Sequence, residues 1–300
     1  MTETFNRGTG LLVIEVRASN PNGDPDAEGE PRTTGPDRRG LISPVSFKRK
    51  LRDLVGDEGG EAMTRAREVL RLGDQVHKFA VLETRGRKFE DIQTQGSAEF
   101  VPNYWDARLF GNALLEIWKN ADKKDRDHFI STGAVQFGPG ISVAPIDIEY
   151  GTWSNKAGVE GDKDRGLAPL AWRFVPHAIY AMPFFVNPLA ARKSGCTARD
   201  VELMKFMIPL AYRATASVAR PDVEVLHAWY AEHRSPLGSC PDWRIVDAMT
   251  PAKPADPDRP SRSRAEYRIP EADDLPREVR DRLASFEDLC AKDWAARTAA

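Results

Sequence analysis

Residues 20 to 31 read Asn-Pro-Asn-Gly-Asp-Pro-Asp-Ala-Glu-Gly-Glu-Pro, a stretch in which nearly every residue sets its own φ or hydrogen-bonds its own backbone. No helix and no strand is expected inside it, so it divides the N-terminal chain into two elements that must be joined by a long loop. Before it, Leu11 to Val16 is an apolar run broken only by Glu15, the pattern of a buried or half-buried strand. After it, Ser43 and Pro44 form a helix start, and Phe47, Leu51, Leu54 and Val55 follow at helical spacing up to Gly56.

Further along, Glu61 to Leu72 and Asp106 to Lys119 carry amphipathic helical spacing, the first stopped by Gly73. Ala134 to Phe137, Ile141 to Ile148 and Phe174 to Val186 read as strands, and the glycine-rich polar stretch from Tyr150 to Gly166 reads as a protruding loop or hairpin. Thr197 with Asp200 resembles a capping box and opens a helix ending near Ala216, and Val223 to Tyr230 is a closing strand. Pro251 to Pro260 holds too many prolines for either regular element and reads as a linker, followed by a helix from Pro276 to Trp294. Three hundred residues suffice for a core without disulfide or metal staples, and the element order predicts an α+β fold on one antiparallel sheet.

Composition removes several classes. Forty-three Lys and Arg against 45 Asp and Glu leave a formal charge of −2, so any nucleic-acid site must be local. Cys196, Cys240 and Cys290 lie far apart with no Cys-x-x-Cys spacing, and the five histidines (His77, His128, His177, His227, His233) are scattered. Reduced thiols and structural histidines are expected. There is no phosphate-loop motif, no dinucleotide fingerprint, no nucleophile elbow and no zincin helix, and no cofactor is implied. Asp24-x-Asp26-x-Glu28-Gly29 imitates half of an EF-hand, but the twelfth position is Gly35 where the closing bidentate Glu is required, so a solvated turn is expected and no metal site. Neither a signal-peptide core nor a membrane span is present in the N-terminal apolar run, and the chain is expected in the cytoplasm.

The local basic signal is Ser46-Phe47-Lys48-Arg49-Lys50-Leu51-Arg52. With residues 47, 51, 54 and 55 defining the apolar face, Lys48, Arg49 and Arg52 are expected to line one side of the helix. Residues 30 to 54 hold seven basic and three acidic residues, a local excess inside a slightly acidic chain. Such a stripe suits a phosphate backbone and equally suits a solvated helix face.

The order of motifs separates these two. Asn20-Pro-Asn-Gly-Asp-Pro25, then Pro31-Arg32, then Leu41-Ile-Ser-Pro-Val-Ser-Phe-Lys-Arg-Lys-Leu-Arg52 closely resembles the backbone subunit of CRISPR Cascade complexes, Cas family seven in its type I-C form. Asp106 to Gly111, Gly133 to Phe137, Val175 to Tyr180 and His233 to Gly238 follow in the family's order, over roughly residues 8 to 250. Gly138 to Ile146 keeps only part of the family's run at that point.

The resemblance implies a modified RRM-like (ferredoxin-like) palm over residues 1 to 250, with an inserted finger region at about 56 to 130 and a thumb at about 148 to 174; residues 251 to 300 remain as a linker and helical tail. It implies a non-catalytic subunit that polymerises along guide RNA (crRNA), leaving the bases free to pair with target DNA in antiviral defence. Implied partners are other copies of the chain in a helical filament, the large, small and family-five Cascade subunits, and a recruited helicase-nuclease. No membrane is involved. Carried over residue by residue, Ser46, Lys48, Arg49 and Arg52 hold guide phosphates, while Asn20, Asn22 and Arg32 shape or contact that path. Gln136, and Trp153, Lys156 and Arg173 of the thumb, complete the expected RNA-binding set, with Trp153 equally suited to a packing role at a subunit contact. The rival reading is a metal-dependent endoribonuclease like the type III backbone subunits, with Asp24 or Asp26 as its acid.

Overall fold

The computed structural model describes residues 5–73, 78–84, 92, 97–113, 130–156 and 167–291. Its strands are β1 (Gly8–Ser19), β2 (Gly23–Asp24), β3 (Glu30–Pro31), β4 (Thr33–Thr34), β5 (Arg39–Ile42), β6 (Gly111–Ala113), β7 (Ile130–Thr132), β8 (Val135–Phe137), β9 (Gly140–Pro145), β10 (Glu149–Lys156), β11 (Leu167–Val186), β12 (Val223–His233) and β13 (Leu283–Asp288). The helices are α1 (Pro44–Gly56), α2 (Glu61–Val69), α3 (Ser97–Asn103), α4 (Trp105–Phe110), α5 (Pro188–Ser194), α6 (Ala198–Met207), α7 (Asp242–Met249) and α8 (Arg277–Arg280). This is a mixed α and β fold, and its main sheet runs β13-β12-β1-β11-β9-β5-β4 with β8 and β10 also paired to β11. Every pairing in that sheet is antiparallel.

Strand β1 lies at the centre, pairing Leu12 with Met182 of β11 and with Ala228 of β12. Because side chains alternate along a strand, β1 feeds two cores. Leu12, Ile14 and Val16 pack with Phe47, Leu51 and Val55 of α1, with Trp105 and Leu109 of α4, and with Val201 and Met204 of α6. Leu11 and Val13 face the other way, onto Trp229, Ile245, Met249, Tyr267, Val279 and Leu283. The apolar run of β1 is therefore continuous because both faces are covered, the second by the C-terminal chain.

Several expectations are corrected here. The loop at 20 to 31 contains the short β2–β3 ladder and a 3-10 turn at Pro25–Ala27. The second helix ends at Val69 instead of Leu72. The third ends at Phe110 instead of Lys119, because Gly111 takes φ +88° and turns the chain into β6. Residues 114–119 of that helix lie outside the described residues, as do His77 and His128. The expected helix over Pro276 to Trp294 is a four-residue α8 followed by β13, which adds to the sheet edge beside β12. Tertiary pairing wins over local helical spacing there: Leu283 enters the second core and Glu287 pairs in register with Tyr230.

Other expectations hold. Ser43 caps α1, its Oγ accepting from Ser46 N at 3.2 Å with Pro44 behind it. Thr197 and Asp200 form a reciprocal capping box on α6. Glu149–Lys156 pairs with Leu167–Phe174 as the two arms of a hairpin, whose tip at 157–166 lies outside the described residues. Pro251 to Pro260 is irregular but packed, with Lys253 buried and its Nζ donating to Ala255 O and Asp256 O. His177, His227 and His233 are hydrogen-bonded, and Cys196, Cys240 and Cys290 are not joined in disulfides. Among the described residues no helix is long and apolar enough to cross a membrane.

Candidate nucleic-acid interface

The loop and helix that the sequence set side by side are physically tied. Asn22 Oδ1 accepts from Ser43 N at 2.8 Å, so the residue that caps α1 is itself held by the loop. Arg32 N donates to Asn22 O at 3.0 Å and Leu41 N to Arg32 O at 2.8 Å, which continues the tie into β5. Asn20 is buried and its Nδ2 donates to Gly29 O at 2.7 Å, closing the loop on itself. The structure thus brings Asn20, Asn22, Arg32 and Ser46 together at the N-terminal end of α1. Asn20 and Asn22 build the loop through these bonds. The Arg32 guanidinium lies 3.3 Å from Asp24 Oδ1, and its Nε is buried without a hydrogen-bond partner.

Lys48, Arg49 and Arg52 do not form one exposed stripe, which corrects the sequence expectation for Arg52. Arg52 is only 5% exposed; its Nε donates to Asp106 Oδ2 at 2.9 Å and its Nη2 meets Glu83 Oε1 at 3.0 Å. Asp106 in turn accepts from Leu82 N and Glu83 N, so Arg52 serves to anchor the 82–83 segment onto α1. Arg49 is half-buried, pairs with Asp53 at 2.8 Å one turn on, and donates to Glu83 O. Lys48 is half-buried with its Nζ 5.3 Å from the centre of the Phe110 ring and, among the described residues, has no carboxylate within ion-pair distance. Burial, and after it the neighbouring Arg52 charge, lower its pKa.

Lys50 is the residue that sequence reasoning missed. It belongs to the basic run in sequence but points inward, 5% exposed, with Nζ 4.9 Å from the centre of the Tyr212 ring. The signal was present: position 50 lies three after Phe47 and four before Leu54, on the apolar face. Arg220, from the turn before β12, carried no sequence signal at all.

Away from α1, Gln136 is exposed at the middle of β8 and donates to Gly133 O at 3.2 Å. Trp153 and Lys156 lie on β10 opposite Leu170 and Leu167; their side chains lie outside what is described. Arg173, on the facing arm, is held within the chain instead of standing free as a thumb cation. Its guanidinium pairs with Glu28 and sits 5.8 Å from the Tyr150 ring, while Tyr150 Oη donates to Glu30 at 2.7 Å. The hydrogen bond to Glu28 raises the Arg173 pKa. These contacts dock the hairpin base onto the 24–31 loop, so the hairpin, the loop and α1 form one connected surface. Asp24 is spoken for by Arg32 and by Asp26 N, and among the described residues no group of three His, Cys, Asp or Glu is placed to hold a metal ion.

Residues 6–271 match the family described as CRISPR-associated protein Cas7. A CRISPR-associated protein Cas7 of Haloferax volcanii is 27% identical over 219 residues, which is 66% of this chain; the chain spans 62% of that relative's length. Among solved structures, a chain of a "CRISPR RNA-guided surveillance complex, pre-nicking" aligns with TM-score 0.46 and 14% identity, covering 76% of this chain and 78% of that one. A chain of a "Type III-B Cmr-beta bound to cognate target RNA" aligns with TM-score 0.40 and 12% identity, covering 76% of this chain and 61% of that one.

Proposed function

The chain belongs to the CRISPR-associated protein Cas7 family, and from that premise we propose that it is a crRNA-binding backbone subunit of a type I Cascade surveillance complex, in the type I-C form. The family match over residues 6–271 is the observation that carries this reading. The surface at the N-terminal end of α1 supports it, because the loop tether, Ser46, Lys48 and Arg49 meet there. On this reading the antiparallel sheet and α1 are an RRM-like palm, and the β10–β11 hairpin is the thumb.

The chemistry required is a grip that ignores sequence, since each guide differs. Lys48 supplies a point charge that, among the described residues, is held in no ion pair. Arg49 exchanges Asp53 for a phosphate oxygen, and its fork then bridges two oxygens of one group. Asn20, Asn22 and Arg32 fix the loop, and Arg52 acts from beneath by fixing the 82–83 segment. Gln136 and the hairpin residues Trp153 and Lys156 extend the path. With contacts confined to the backbone, the guide's bases stay free to pair with target DNA. Head-to-tail contacts between identical chains generate an open helix, so guide length sets the number of copies. The large, small and family-five subunits and a recruited helicase-nuclease complete the assembly in the cytoplasm, and this chain itself cuts nothing.

The test is co-expression of the tagged chain with its neighbouring genes, followed by sequencing of the RNA that survives purification. Guides with repeat-derived ends on several copies of the chain are expected. Heterogeneous cellular RNA on a monomer contradicts the reading. Cleavage of guide-paired RNA with Mg²⁺, abolished by Asp24→Ala or Asp26→Ala, replaces it with the nuclease reading.

A further inference from the structure

Lys50 of α1 and Tyr212 meet beside the turn at Ser217–Arg220, with Arg220 close enough for its charge to act on both. Lys50, nine-tenths buried or more, has neither a hydrogen bond nor a carboxylate within ion-pair distance among the described residues; its Nζ rests on the Tyr212 ring. Tyr212 Oη is buried with no hydrogen-bond partner, and so is Arg220 Nε. Buried donors are almost always satisfied, because an orphan retains the full penalty of losing water. Here two such atoms lie beside the unpaired Lys50 ammonium, and two of the three groups are cations. Lys50 and Arg220 offer donors only, the Tyr212 hydroxyl can donate as well, and among the described residues no carboxylate lies within ion-pair distance of either cation. The missing species is therefore an oxyanion.

The position says which one. The Ser217–Arg220 turn is closed by Arg220 N donating to Ser217 O at 2.8 Å, and Asn20 N donates to Ala219 O at 2.8 Å, so the turn is joined to the same loop that holds the N-terminal end of α1. Arg220 is half-buried and forms the rim. We propose that Lys50, Arg220 and Tyr212 form a pocket that takes one phosphodiester group of the guide RNA, seated deeper than the contacts of Lys48 and Arg49. The proposal rests on the guide-binding reading and adds to it a site set into the protein. Its electrostatics agree. Burial first, and then the Arg220 charge, pull the Lys50 ammonium down to about 8, with Asp53 on the same helix opposing. An anion between Lys50 and Arg220 offsets the Arg220 charge and favours the ammonium, so near pH 8 RNA binding draws a proton onto Lys50.

The experiment measures binding of the full chain to a single-stranded RNA of guide length across a salt series. The variants are Lys50→Met, Arg220→Gln, the pair combined, and Lys48→Ala as the reference surface contact. Lys50→Met and Arg220→Gln are each expected to weaken binding about tenfold, to lower the salt slope by about 0.7, and to combine without adding, since one phosphate serves both. Melting temperatures supply the second reading. Inorganic phosphate is expected to raise that of the wild type and not that of Lys50→Met, and Lys50→Met in phosphate-free buffer is expected to melt higher than the wild type. Unchanged slopes in Lys50→Met and Arg220→Gln, alongside a reduced slope in Lys48→Ala, overturn the pocket and leave guide binding intact. A phosphate-dependent melting shift with unchanged RNA binding makes it a free-phosphate site and also overturns the proposal. A wild type that binds no RNA at any salt defeats the guide-binding reading, and the pocket's RNA role falls with it.

Discussion

Arg52 and Lys50 sit two residues apart on α1, each 5% exposed, and their surroundings are opposites. Arg52 belongs to a region of complete pairs. Asp106 and Glu83 take its guanidinium, and nearby Arg108 donates to both oxygens of Asp200 and to the carbonyls of Lys78, Val101 and Pro102. Lys50 belongs to a region where, among the described residues, no carboxylate comes within ion-pair distance of it, and Asp53 on the same helix acts only from further off. The contrast teaches that burial alone does not mark a functional charge. A buried cation already paired with carboxylates holds segments together, and one left without an ion-pair partner is available for a ligand.

The largest effect that sharpens this contrast is loss of a paired partner. Asp200→Ala leaves Arg108 buried and uncompensated between α3, α4 and α6, and is expected to remove about 3–5 kcal/mol of stability, read by urea unfolding. Lys50→Met is expected to go the other way. At pH 7 it removes an uncompensated buried charge and stabilises the chain. The pH sign follows from linkage: between about 8 and the ordinary Lys value the unfolded state binds more protons, so wild-type stability rises with pH through that window. The gap to Lys50→Met therefore narrows from pH 8 toward pH 10 in thermal melts. A Lys50→Met variant that is less stable at pH 7 breaks the comparison.

Smaller effects test its edges. Thr197→Ala removes one side of the α6 capping box, beside Asp200, and is expected to cost about 1 kcal/mol in the same unfolding assay. Smallest in stability is the paired change Lys48→Ala with Arg49→Ala, expected within about 0.5 kcal/mol of wild type while lowering the salt slope of RNA binding by about one to two. A slope that does not move removes the surface of α1 from the site.

What the sequence could and could not reveal follows the same division. Local chemistry was readable: Ser43 and Pro44 start α1, Thr197 and Asp200 start α6, and the apolar run of β1 lies where its pattern says. Features that depend on distant partners were not. Arg52 reads as a surface cation until Asp106, 54 positions away, meets it, and Arg173 reads as a free thumb cation until Glu28, 145 positions away, does. Residues 276–294 have helical spacing and read as a helix, whereas β13 forms because β12, remote in sequence, pairs with it. Lys50 falls between these cases: its helical position placed it inward, but only the fold brings Tyr212 and Arg220 to it.

The central claim, that this chain is a backbone polymerising along a guide, is tested most directly by native mass measurement of the purified chain on RNAs of stepped length. The account predicts that copies per RNA rise in whole-number steps as the RNA lengthens. A single copy at every length, or no bound RNA, contradicts it.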